Sequence, residues 1–153
     1  MCGDLLSNLA VMGFGASSLR GAAGLRGAVV DHRFARRHLI NEFRRGRLRK
    51  DQVCDAHPEL IRAATNFGAP TQVRCPICDE REVVLVTYVF GPRLPAFGRV
   101  VSTAAQMQTL SRSSDDLAAY VVEACTGCRW HHLLRVLPIG GRKKRAAPQQ
   151  AQG

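Results

Sequence analysis

Four cysteines fall in two short-spaced pairs, Cys75-Pro76-Ile77-Cys78 and Cys125-Thr126-Gly127-Cys128, with 46 residues between them. A Cys-x-x-Cys pair brings two thiolates to one cation, and two such pairs complete the tetrahedral sulfur shell that Zn²⁺ takes. Cys75, Cys78, Cys125 and Cys128 are therefore the predicted ligands of one structural zinc ion. A shell closed by four protein sulfurs leaves no position for water or substrate, so the expected metal is a staple, not a catalyst. The same donors also hold iron. The rival chemistry for such a pair is thiol–disulfide exchange, which needs a helix starting at the first cysteine to lower its pKa. Here Cys78 is followed by Asp79, Glu80, Arg81 and a strand signal, which argues against it.

Two further groups have ligand-like spacing. Cys54 and His57 lie three apart, and with His131 or His132 they would make a second metal site. The plainer reading makes Cys54 a small buried hydrophobe and His57 the cap of the following helix. His131 has a third option, as a hydrogen-bond donor to a metal-bound sulfur. Trp130 is the only tryptophan. It either closes the core or stacks on a base or partner, and strand alternation puts it on one face with His132.

The net charge of +10 is unevenly spread. Residues 25–50 carry +7, residues 51–141 carry −1, and the run 142–145 adds +4. Clustering of this kind points to a polyanionic partner, with the alternative of a merely solvated face in an arginine-rich protein. Arg33, Arg36, Arg37, Arg44, Arg45 and Arg47 are the candidate phosphate contacts, since guanidinium binds phosphate bidentately and stays charged.

The elements that must position these groups can be read in outline. Residues 29–49 have a helical period, with Ala35, Leu39, Ile40 and Phe43 on one face and Gly46 interrupting the last turn. A second helix starts at Pro58, which suits a first helical position, and stops at Gly68-Ala69-Pro70. Residues 82–90 are the strongest strand signal, and 98–102 are its return. A short helix is expected over 103–112, and strands over 117–124 and 130–137 enter and leave the second cysteine pair. The expected fold is α+β: N-terminal helices packed on a three- or four-stranded antiparallel zinc-ribbon-like sheet. Residues 1–27 are expected to be disordered or a start-site extension, with Met12 as another start. Residues 28–69 form the helical basic region, 70–140 the zinc-ribbon-like domain, and 141–153 a disordered basic tail.

Three blocks together carry a resemblance: residues 53–58 (Val-Cys-Asp-Ala-His-Pro), the first cysteine pair, and residues 120–133, from Tyr120 through Cys125, Cys128, Trp130, His131 and His132 to Leu133. They resemble an uncharacterised family of short actinobacterial proteins known only as a domain of unknown function, over residues 28–140. The resemblance implies a helical part followed by a zinc-ribbon-like part and no established activity. The family more often has Asn where this chain has His131.

No glycine loop for phosphate, no His-Glu-x-x-His and no grouped carboxylates appear, so an enzyme is not expected. The apolar stretch 9–16 is far short of the ~20 residues that cross a bilayer, and no cationic leader opens the chain. Cysteines used for metal fit a reducing cytoplasm, without membrane attachment. The expected function is a non-catalytic zinc-binding adaptor that contacts nucleic acid or a nucleoprotein machine such as the ribosome or RNA polymerase. The alternatives are a zinc-stapled protein–protein scaffold and, more remotely, a Cys-x-x-Cys redox protein.

Overall fold

The structure is a computed structural model, and it describes residues 29–141. The expectations for residues 1–27 and for the basic run 142–145 lie outside the described residues.

Six antiparallel strands form one sheet: β1 (Val30–Asp31), β2 (Ala69–Arg74), β3 (Glu82–Phe90), β4 (Arg99–Val101), β5 (Asp116–Ala124) and β6 (His131–Gly140). Their order is β1-β6-β5-β3-β2, with β4 also pairing to β3. The centre is β3 against β5, in register from Val84↔Ala124 to Phe90↔Ala118. Both strands are dense in Val, Ala, Tyr and Phe, whose side chains pack well on a pleated surface. The sheet therefore has more strands than the three or four expected. The additions are the weakly patterned edges. β2 is mostly exposed and contains Pro70, while β1 is two residues joined to Val136 and Arg135 of β6. β6 also runs on past the expected end at Leu137 through Pro138. There β6 is an open sheet edge, where proline is tolerated.

Four helices surround the sheet: α1 (Arg33–Arg44), α2 (Lys50–Val53), α3 (Pro58–Phe67) and α4 (Ala104–Ser111). α1 is shorter at its start than the period predicted, because Val30 and Asp31 join the sheet. The Asp31 carboxylate then accepts from the Arg33 N–H at 2.9 Å. Gly46, at φ +74°, breaks the chain after α1, a conformation that glycine adopts freely. α3 begins as expected: Pro58 is its first residue and His57 Nδ1 accepts from the Glu59 N–H at 3.1 Å. α4 is closed by Thr103 and Gln106, each side chain bonding the other's backbone N–H.

Alternation along β3 and β5 sorts the core onto two faces. On one, Leu60, Ala63 and Ala64 of α3 pack on Val86, Tyr88, Phe90, Tyr120 and Val122. On the other, α4 covers Val89, Leu117 and Ala119 at one end. At the opposite end, Ile40 of α1 and Val53 of α2 pack with Val83, Trp130, Cys75 and Cys125. Among the described residues no helix is long and apolar enough to cross a membrane.

Candidate metal centre

β2 runs into β3 through the first cysteine pair, and β5 into β6 through the second. Since β3 and β5 are antiparallel neighbours, both turns lie at one end of the sheet. They are built alike. In the first, the Asp79 N–H donates to the Cys75 carbonyl at 3.0 Å and the Cys75 N–H to the Arg81 carbonyl at 2.8 Å. In the second, the Arg129 N–H donates to the Cys125 carbonyl at 3.0 Å and the Cys125 N–H to the Trp130 carbonyl at 2.8 Å. The residue after each second cysteine takes a left-handed backbone, Asp79 at φ +53° and Arg129 at φ +69°. That turn curls each loop back so that both of its sulfurs face one point.

The sulfurs of Cys75, Cys78, Cys125 and Cys128 all lie within 4.8 Å of one another. Cys75 and Cys128 are 3.5 Å apart, Cys78 and Cys125 3.8 Å, and all four are free thiols. Cys75 and Cys125 are buried; Cys78 and Cys128 are half-buried. Burial pushes the Cys75 thiol upward and the Cys128 thiol up to about 12. Burial opposes ionisation of Cys78 too, but the backbone N–H groups of Glu80 and Arg81 face its sulfur and bring it down to about 7. Four thiolates at this spacing repel one another strongly, and a divalent cation between them removes the conflict. The arrangement can hold a metal ion.

Cys54 is partly buried and packs against the Trp130 cluster, close to the plainer reading, and it joins no second metal site. Its thiol stands 3.4 Å from Cys128 Sγ and donates to it, a fifth sulfur beside the four. Burial raises its pKa, which keeps the proton available to donate. The second metal site is not assembled. His57 caps α3, His131 Nε2 donates to Asp55 Oδ1 at 3.1 Å, and His132 Nδ1 donates to the Leu133 carbonyl at 2.7 Å. Among the described residues no other cluster of potential ligands resembles the tetrad.

Trp130 is fully buried, so it is a core residue and not a contact surface. Its ring stacks on His132, centroids 6.0 Å apart, as shared-face alternation implied. Its Nε1–H donates to Glu123 Oε1 at 2.8 Å, and the same oxygen accepts from Arg36 Nε at 2.5 Å. Arg36 is thus turned inward, with a buried carboxylate as its partner, and is withdrawn from the basic surface. The sequence reading missed Glu123. The signal was present, since Glu123 is a lone charge on the strand face that Leu117, Ala119 and Val121 make apolar.

The other nominated arginines remain exposed. Arg33 pairs with Asp31, and Arg45 and Arg47 both reach Glu42. Arg37 and Arg44 pair with no carboxylate among the described residues. Phe34, unnoticed in the sequence, stands 84% exposed on the same helix.

Fold and site together define a class: a small α+β protein whose antiparallel sheet ends in two cysteine turns able to hold a metal ion. The chain matches the model of a family of unknown function, DUF5318, over residues 24–153, and it belongs to that family. It is similar to the uncharacterized protein Rv0049 of Mycobacterium tuberculosis, 36% identical over 124 residues, covering 81% of this chain and 90% of the relative. The uncharacterized protein Mb0050 of Mycobacterium bovis matches to the same extent. No solved structure matches the fold.

Proposed function

We propose that this protein is a non-catalytic cytoplasmic adaptor, stapled by one zinc ion, that contacts nucleic acid or a nucleoprotein surface through the outer face of α1. Support for zinc comes from geometry. A Zn–S bond of about 2.3 Å implies tetrahedral sulfur–sulfur edges of about 3.8 Å. The Cys75–Cys128 and Cys78–Cys125 spacings of 3.5 and 3.8 Å are close to this, while all four sulfurs lie within 4.8 Å of one another. Four sulfurs fill the shell, which favours a structural role over a catalytic one.

What carries the partner reading is the arrangement on α1. At helical spacing Phe34, Arg37, His38, Asn41 and Arg44 share the face opposite Arg36, Leu39, Ile40 and Phe43. An exposed aromatic ring among guanidinium groups offers stacking to a base and charge to the flanking phosphates. The test is fluorescence anisotropy of a labelled single-stranded RNA with the full chain, across a salt series. Binding should weaken steeply with salt, and Arg37→Glu, Arg44→Glu and Phe34→Ala should each weaken it while zinc content stays at one per chain. Binding that ignores both salt and these substitutions would sink the reading.

A second reading, a protein–protein scaffold, draws on the exposure of Phe34 at 84% and Val29 at 54%. In that case capture of a partner would survive nuclease and added salt but fail with Phe34→Ala.

A further inference from the structure

Away from the cysteine turns, α3, the loop 95–98 and the start of β4 border a cleft of about 730 Å³. Its floor is Tyr88 and Phe90 of β3, and its walls include Phe67 of α3 and Phe97 of the loop. The two wall rings stand 53% and 76% exposed, so they border the cleft with large apolar surface open to it. The loop is held in shape. Gly98 sits at φ +83° against the Phe90 ring, where a Cβ would approach ring carbons at 2.8 Å. The cleft is therefore a preformed concavity with a fixed rim, of the size and lining that small-molecule sites have.

Its polar groups are few and convergent. Tyr88 is 6% exposed, yet its hydroxyl makes no hydrogen bond among the described residues, although it lines the cleft. Among the described residues this hydroxyl is not one of the buried side-chain atoms left without a partner, so it opens onto the cleft, where it can donate to a ligand atom. At the mouth, Arg62 is engaged by Glu59, while Arg99 pairs with no carboxylate among the described residues. His57 also lines the cleft. Because its Nδ1 accepts from the Glu59 N–H, the proton of the neutral ring lies on Nε2. The rim thus has two guanidinium groups against one carboxylate, above an aromatic floor.

We propose that this cleft is a binding site for an amphipathic organic monoanion, a carboxylate on an acyl or aryl body. The body lies on Tyr88 and Phe90 between Phe67 and Phe97, and the carboxylate takes a hydrogen bond from the Tyr88 hydroxyl and charge from Arg99. This inference is independent of the metal and of α1, since none of those residues lines the cleft.

The probe is decanoate, below its micellar concentration, titrated into the full zinc-loaded chain and followed by amide chemical shifts. Decanol and decyltrimethylammonium serve as neutral and cationic controls. Saturable shifts confined to residues around 57–67 and 88–100 are expected, with decanoate binding at least tenfold more tightly than either control. Arg99→Ala, on the exposed rim, and Tyr88→Phe, which keeps the ring, should each weaken decanoate about tenfold and leave decanol unchanged. The proposal is overturned if decanoate produces no saturable shifts there, if decanol binds as tightly, or if neither substitution matters.

Discussion

Arg36 and Arg37 are adjacent in the chain, and the structure gives them opposite tasks. Arg36 donates to Glu123, whose side chain is 4% exposed and also receives the Trp130 N–H. Replacing Arg36 by Met keeps most of the aliphatic stem but leaves that carboxylate buried with one neutral donor. Breaking a buried ion pair in this way costs about 3–5 kcal/mol. The Arg36 side chain is 22% exposed, so water screens part of the interaction, and about 2–3 kcal/mol is the reasonable expectation. For a domain of this size that corresponds to a fall in Tm of roughly 10 °C. Arg37→Met, on the open face of α1, should stay within about 0.5 kcal/mol. The decisive variant is Arg36→Met with Glu123→Gln. The amide removes the stranded charge but can still accept from Trp130, so this double variant should be more stable than Arg36→Met alone by about 1 kcal/mol or more. The assay is thermal and urea unfolding of the wild-type chain, the two single Arg→Met variants and the double variant, all zinc-loaded. Equal effects of Arg36→Met and Arg37→Met, or no recovery when Glu123→Gln is added to Arg36→Met, would refute the assignment of Arg36 to the interior.

Three other expectations follow from the same geometry. If the tetrad holds the proposed zinc ion, Cys78→Ser or Cys125→Ser should abolish stoichiometric metal and unfold the end of the sheet, because a structural zinc contributes on the order of 10 kcal/mol of folding free energy; elemental analysis with far-UV circular dichroism reads both. Cys54→Ala should keep one ion per chain, since Cys54 donates to Cys128 and stands outside the tetrad; loss of the ion would make it a ligand. Tyr88 has its pKa pushed up to about 12 by burial and by Glu59 nearby, against about 10 when unfolded. A phenol raised in the fold keeps its full contribution below pH 10 and loses it as pH climbs towards 12, so Tyr88→Phe should blunt the alkaline fall in stability over that window.

The parts of this fold that local chemistry dictates were readable. The paired cysteines, the β-branched run of β3, Pro58 at the start of α3 and Gly46 after α1 each act through neighbours a few residues away. What escaped was set by distant partners. Val30 and Asp31 carry a helical period, yet pairing with β6 takes them into the sheet. β2 has no alternation to detect because both of its faces are exposed, and only β3 makes it a strand. The six arginines near α1 look equivalent in the sequence, although one of them, Arg36, lies 87 positions from the carboxylate that claims it. Cys54 likewise meets Cys128 across 74 positions, a proximity that spacing alone does not reveal.

The same contacts join the metal centre to the candidate contact surface. Ile40 of α1 packs in one cluster with Trp130, Cys75 and Cys125, and Arg36 ties the next turn of that helix to Glu123 beneath Trp130. α1 is a 12-residue helix, short enough to be marginal in water without packing on its apolar stripe. If the ion leaves, the two cysteine turns lose the constraint that fixes this cluster, and α1 loses its floor. On the proposed nucleic-acid function, stripping the metal with a chelator should therefore abolish RNA capture as fully as reversing Arg37 and Arg44, although no candidate metal ligand belongs to the basic face. Decanoate binding at the far cleft should persist more strongly, because α3 packs on the other face of the sheet against Val86, Tyr88 and Phe90. Hydrogen exchange can check the order of events. Amides of α1 should lose protection on metal removal before those of α3, and simultaneous loss in both helices would show that the sheet does not separate the two sites.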